Sequence, residues 1–182
     1  MNHAAKLAHQ IDTSSLLSAV ITHHKKYGKQ QRYGKSIPWD GAAQAALGWG
    51  SETKTISDSE RFSEQLPNNL LSLERPFVFI LELPAVDVPN PILPAHIDYN
   101  KTCGINVYLE TNGEVTKFYH WNKETKQAEY VEEFCAATGE VWLIDTSVPH
   151  SVILTPRKTR TMLTFSFVKL KYNEVLECFV TK

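Results

Sequence analysis

Ile105-Asn-Val-Tyr-Leu-Glu110, then Asn112-Gly113, then Val115-Thr-Lys-Phe-Tyr-His-Trp121: two alternating runs flank a two-residue turn signal. Alternation with a period of two belongs to extended strands, whose successive side chains point to opposite faces. The same texture continues outward on both sides. Upstream lie Phe77-Val-Phe-Ile-Leu-Glu-Leu83 and, after the proline-punctuated stretch 84–94, Leu93-Pro-Ala-His-Ile-Asp-Tyr99. Downstream, beyond a polar turn at 122–127, lie Tyr130–Phe134, Gly139-Glu-Val-Trp-Leu-Ile-Asp145, His150–Leu154 and Arg160–Val168.

Eight short strands joined by turns, with no helix between them, predict a mainly β fold: a double-sheet jelly roll, or double-stranded β-helix. Asn112-Gly113 then has two readings. Locally it is a tight hairpin turn, but in a jelly roll the same pair can carry the chain from one sheet to the other. The first third reads differently. Asp12, Thr13 or Ser14 can cap a helix running to Gly28, with Leu16, Leu17, Val20 and Ile21 on one stripe and a basic end at His23-His24-Lys25-Lys26. Gly41–Leu47 suits a second, short helix, with Trp39 and Trp49 as packing anchors or, alternatively, as walls of a substrate cleft. The expectation is one domain over 1–182, with 1–75 as helical or irregular support packed outside a jelly-roll core of 76–168.

Composition agrees with a single globular domain: 182 residues, 42% hydrophobic and 21% charged. Nineteen basic against twenty acidic side chains give a net charge of -1, so no charge excess points to nucleic acid or a membrane surface. The three cysteines, Cys103, Cys135 and Cys178, are odd in number and widely spaced, which argues against a disulfide framework or a zinc knuckle. Cys103 and Cys135 read as small buried apolar residues. With no apolar signal-peptide core and no run approaching ~20 apolar residues, a soluble, cytoplasmic protein is expected.

The chemistry concentrates around His96 and Asp98. On an extended strand they share a face, and an imidazole beside a carboxylate can take two adjacent positions on a divalent first-row metal. A second imidazole would complete a two-His, one-carboxylate set that leaves positions open. His150, following Val148-Pro149 on a strand far along the chain, supplies it, because distant strands become neighbours in a jelly roll. On the next strand Arg160, Met162, Thr164 and Ser166 share one face, and Leu163, Phe165 and Phe167 the other. His120 and the N-terminal histidines read as structural.

His96-x-Asp98, the run Gly139–Asp145 ahead of Pro149-His150, and Arg160 together resemble the Fe(II)- and 2-oxoglutarate-dependent oxygenases, in particular their prolyl-hydroxylase-like branch. The resemblance covers about Phe77 to Val168. It implies a cupin-like jelly roll in which His96, Asp98 and His150 are the Fe(II) ligands and catalytic centre. It also implies 2-oxoglutarate and O₂ as co-substrates, with Arg160 pairing with the far carboxylate of 2-oxoglutarate and the Tyr108 hydroxyl assisting. Lys117 and Arg157 are rival cations. Met162 departs from relatives that place a serine there, and Asp98 occupies the position that halogenases of the family vacate. The implied reaction hydroxylates a C–H bond of a protein side chain or small metabolite while 2-oxoglutarate is decarboxylated to succinate. No nucleic-acid or membrane partner is expected. From another class, the chain reads as a metal-binding jelly-roll sensor or binding module without turnover; binding of 2-oxoglutarate separates the two.

Overall fold

The computed structural model describes residues 2–25, 52–57, 59–83, 85, 87, 91–98, 101–125 and 127–180. The eight strands expected after Pro76 all form: β4 (Phe77–Leu83), β5 (Ile92–His96), β6 (Cys103–Glu110), β7 (Val115–Asn122), β8 (Gln127–Cys135), β9 (Val141–Asp145), β10 (His150–Ile153) and β11 (Arg160–Phe167). They divide between two antiparallel sheets, and apart from the β7–β8 hairpin each successive strand changes sheet. One contains the order β9-β6-β11-β4 and the other β5-β10-β7-β8, the interleaving of a double-stranded β-helix. The fold is therefore mainly β, a cupin-like jelly roll.

Three further strands widen the first sheet to seven. β1 (Ala4–Leu7) pairs with β9, while β3 (Glu52–Ile56) pairs with β4 and carries β2 (Val20–Lys25) at the far edge. This corrects the helix expected over Asp12–Gly28. Among the described residues of that stretch only a 3-10 turn forms, at Leu17–Ala19, and the chain then enters β2. Val20-Ile21-Thr22 is a run of β-branched residues with stiff side chains, and the open edge of β3 offers it a hydrogen-bonding partner that an isolated amphipathic stripe lacks. The remainder of that stretch, and the Gly41–Leu47 helix with Trp39 and Trp49, lie outside the described residues.

The alternation on β11 sorts the molecule into two cores. Leu163, Phe165 and Phe167 point outward and join Ile80, Ile105, Val107, Val141 and Leu143 under α1 (Ser59–Ser63), α2 (Asn68–Leu73) and α3 (Tyr172–Glu177), which contribute Phe62, Leu70, Tyr172 and Val175. Each fully buried Phe or Leu side chain contributes about 1.5–3 kcal/mol. The face between the sheets holds a smaller apolar group, with Tyr108, Phe118, Phe134, Ile144 and Met162. Because the larger core lies outside the barrel, the interior is free to bury polar side chains, among them Asn106, Thr116, His150, Arg160, Thr164 and Ser166. Among the described residues no helix is long and apolar enough to cross a membrane.

Asn112-Gly113 proves to be the crossing between sheets. β6 already has β11 on one side and β9 on the other, so no edge remains for a hairpin partner and β7 must start in the opposite sheet. The corner is pinned accordingly. The Asn112 side chain donates to the Thr159 carbonyl, the Thr155 hydroxyl donates to the Asn112 carbonyl, and the buried Glu114 carboxylate accepts the Asn112 N–H. Gly113 takes φ +87°, a left-handed conformation that costs glycine little.

Candidate metal centre

β5 ends on His96 and β10 begins on His150, and antiparallel register sets the two histidines directly opposite each other. Their ring centroids are 4.4 Å apart. The register of this pair shifts immediately after His150, a bulge of the kind that re-aims side chains beside functional sites. Asp98 lies beyond the end of β5. Its backbone N–H donates to the Thr146 carbonyl (3.0 Å), which returns the carboxylate to the histidines, with Oδ1 3.7 Å from His96 Nε2. One candidate ligand atom from each of His96, Asp98 and His150 lies within 4.8 Å of the other two.

The protonation states suit a metal. Val148 offers His150 only a carbonyl, so Nδ1 (2.9 Å away) carries the proton and the Nε2 lone pair is left to act as a ligand. Burial, reinforced by neighbouring His96 and opposed by Asp98, pushes the His150 pKa down from 6.5 to about 3, so the ring is neutral at physiological pH. Burial alone would raise the Asp98 carboxyl. The Lys101 ammonium beside it is the largest opposing influence, and Asp98 is held below its ordinary value, as an anion. Metal binding requires this pairing of neutral imidazole and charged carboxylate.

Deeper in the barrel, Arg160 is 3% exposed. One terminal nitrogen, Nη2, donates to the Tyr108 hydroxyl (3.0 Å) and to Thr116 Oγ1 (3.2 Å), and the guanidinium carbon lies 5.1 Å from the centre of the Tyr108 ring. Its Nε is buried without a hydrogen-bond partner, and no carboxylate of the described residues forms an ion pair with it. Thr116 precedes Phe118 by two residues on β7, and Phe118 is the strand partner of His150. Two residues along a strand are about 7 Å, so the guanidinium and the histidine pair occupy neighbouring levels of one interior.

The rival cations point elsewhere. Thr116 and Phe118 face inward, so Lys117 between them faces out, where it pairs with Glu133 at 3.2 Å beside the Tyr130 ring. Arg157 is on the surface, bonded to Asp87 at 2.6 Å. Of the residues read as structural, His3 lies 3.5 Å from Asp145, His9 bonds the Gln65 carbonyl, and His120 is exposed. Cys103 is buried, and burial pushes its thiol pKa up to about 12; Cys135 is exposed on the edge strand β8, contrary to expectation. Sequence reasoning missed Lys101, Thr146 and Asn106. Lys101 bonds Asp98, Thr146 is fully buried and accepts the Asp98 N–H, and Asn106 sits buried opposite Thr164, whose hydroxyl lacks a partner. Alternation does assign Asn106 to the inner face, but nothing local marks the other two.

No protein-family model matches the chain, and no curated protein does. Solved structures of similar shape include a prolyl-4-hydroxylase from Pseudomonas putida (12% identity, 93% of this chain and 94% of that one, TM-score 0.47). A predicted oxalate decarboxylase from Thermotoga maritima is similar at 14% identity, over 87% and 97% of the two chains, with a TM-score of 0.41. A 2OG-Fe(II) oxygenase family oxidoreductase from Burkholderia pseudomallei matches at 15% identity and a TM-score of 0.37, over 52% of this chain; the match spans 42% of the length of the Burkholderia protein.

Proposed function

We propose that this chain is an Fe(II)- and 2-oxoglutarate-dependent dioxygenase that hydroxylates a C–H bond of a protein side chain or small metabolite. The observation that carries this reading is Arg160: a buried cation with an unused donor and no carboxylate partner among the described residues, next to a His-Asp-His cluster. A buried charge left without its counter-charge is strongly destabilising, by about 3–5 kcal/mol where one partner of a pair has been removed, so this site is suited to an anion brought in from solution. A dicarboxylate that chelates a metal at one end meets that need at the other.

The donor set fits iron. Two imidazole nitrogens and one carboxylate oxygen, with positions left open, are the ligands that non-haem Fe(II) takes in oxygenases. Bound iron with 2-oxoglutarate and O₂ supplies the oxidising chemistry, 2-oxoglutarate leaving as succinate and CO₂. The chain's own part is to bind, orient and exclude water. His96, Asp98 and His150 would hold the metal, and Arg160 with Tyr108 would take the far carboxylate. A guanidinium suits that role because its planar fork matches a carboxylate and stays charged when enclosed. Phe118, Phe134, Ile144 and Met162 form the apolar part of the interior.

Titrating 2-oxoglutarate under argon into the Fe(II)-loaded protein, and following the visible charge-transfer absorption, tests the reading. A saturable band is expected, with succinate formed once air and substrate are admitted. Iron binding with neither a band nor a shift in melting temperature on adding 2-oxoglutarate would make the barrel a metal-binding module without turnover.

A further inference from the structure

Lys101 lies outside every strand, yet its ammonium is 3.0 Å from Asp98 Oδ2, with the two side chains only 15% and 16% exposed. The other carboxylate oxygen, Oδ1, is the one near His96 Nε2, at 3.7 Å. The two oxygens of one carboxylate therefore face different partners. The backbone holds this division in place through Thr146. Its carbonyl accepts the Asp98 N–H (3.0 Å), its N–H donates to the Thr102 carbonyl (3.1 Å), and its hydroxyl donates to the Lys101 carbonyl (3.4 Å). Thr102 is anchored in turn, its N–H donating to the Phe167 carbonyl (2.9 Å) and its hydroxyl to the Leu170 carbonyl. Both members of the ion pair hang from one buried staple.

We propose that Lys101 is a positioning residue that confines Asp98 to ligation through one oxygen and so keeps a coordination position open. The inference rests on the metal reading of His96, Asp98 and His150 above. A carboxylate with both oxygens free can grip a divalent cation through both. One whose second oxygen is held in a charge-assisted hydrogen bond presents only the first. A six-coordinate metal with three protein ligands keeps about three positions for other groups, and a two-oxygen Asp98 would leave about two. A co-substrate that binds through two atoms would then occupy every remaining position. Lys101 thus governs access to the centre without touching substrate or metal.

Mn(II) is a suitable probe, because water-proton relaxation reports how many exchangeable waters each bound ion carries. Wild type, Lys101→Met and Lys101→Arg are compared at saturating protein, with melting curves to verify folding. Lys101→Met is expected to bind Mn(II) no more than about tenfold more weakly, the small end of the range for outer-shell partners. Its relaxation per bound ion should fall by about a third, one water of about three being displaced by Asp98 Oδ2. Lys101→Arg should restore the wild-type value. If Lys101→Met does not fold, Lys101→Gln, uncharged and too short to hold Oδ2, should show the same fall. Unchanged relaxation in the folded uncharged variant, with wild type binding normally, overturns the role given to Lys101 and leaves the metal reading standing. So does a loss of Mn(II) affinity as large as that of Asp98→Ala, which would mean that Lys101 holds the loop rather than the oxygen. A wild-type protein that binds neither Mn(II) nor Fe(II) overturns the metal reading, and this inference with it.

Discussion

Arg160 and His150 are each surrounded by groups that leave one function unspent. Arg160 gives one nitrogen to Tyr108 and Thr116 while Nε has no partner. Replacing Arg160 with alanine should weaken 2-oxoglutarate binding on the order of a hundredfold, the equivalent of a lost charged hydrogen-bond pair worth roughly 2–3 kcal/mol. Iron affinity should stay near wild type, and titration of both ligands under argon reads the two effects separately. His150 has its own pH signature. Its pKa falls from 6.5 in the unfolded chain to about 3 in the fold, so between those values the unfolded chain takes up a proton that the folded one refuses. Stability of the metal-free protein is therefore full above about pH 6.5 and is lost as pH falls toward 3, by on the order of a few kcal/mol at most. His150→Gln should flatten that slope. Urea unfolding of both proteins, free of metal, at pH 7, 5 and 4 measures it; equal slopes would mean that burial does not hold His150 neutral.

Among the elements, β6 decides the path of the chain. With both its edges taken, the Asn112-Gly113 corner must cross between sheets, and this crossing puts Tyr108 on one wall of the barrel and Thr116 on the other, both against Arg160. Gly113→Ala should cost about 1–2 kcal/mol, since a Cβ is strained at φ +87° although nothing stands within 4 Å of it. Because the corner meets the Arg160 end, through its flanking strands and the Asn112 bond to Thr159, rather than the His96, Asp98 and His150 cluster, Fe(II) affinity should not change. A Gly113→Ala protein as stable as wild type in urea would show that the corner relaxes to another conformation. β5 is short for a comparable reason. It stops at His96, and the chain leaves the ladder so that Thr146 can capture Asp98.

At the scale of the whole molecule, the heaviest apolar packing lies outside the barrel. Leu7, Leu16, Ile56, Phe62, Leu66 and Leu70 all come from the first seventy residues and cover the outward side chains of β6, β9 and β11. We propose that residues 1–72 are support without which the jelly roll does not stand, and removing them should abolish cooperative thermal unfolding. A milder test is Phe62→Ala, 1% exposed in the native protein, which should cost about 3–5 kcal/mol while the folded fraction binds Fe(II) normally. A fragment starting near Leu73 that melts cooperatively and binds metal would refute the supporting role.

Alternating side chains from Phe77 onward determined eight strands and their inner and outer faces, because period two is a local property of extended chain. The same local rule placed Arg160 and Thr164 on one face and Phe165 on the other, and that division is the one between barrel interior and outer core. Two histidines and an aspartate were legible as a candidate set from residue type, the two-residue spacing of His96 and Asp98, and the adjacency of distant strands in a jelly roll. Tertiary structure decided what no local pattern carries. β2 is a strand because an open edge at β3 offered hydrogen bonds to a β-branched run whose periodicity also suited a helix. Asn112-Gly113 crosses between sheets because β6 had no edge left. Lys101 reached Asp98 because Thr146, far along the chain, holds the backbone of both, and contacts made at long range leave no trace in the spacing of neighbours.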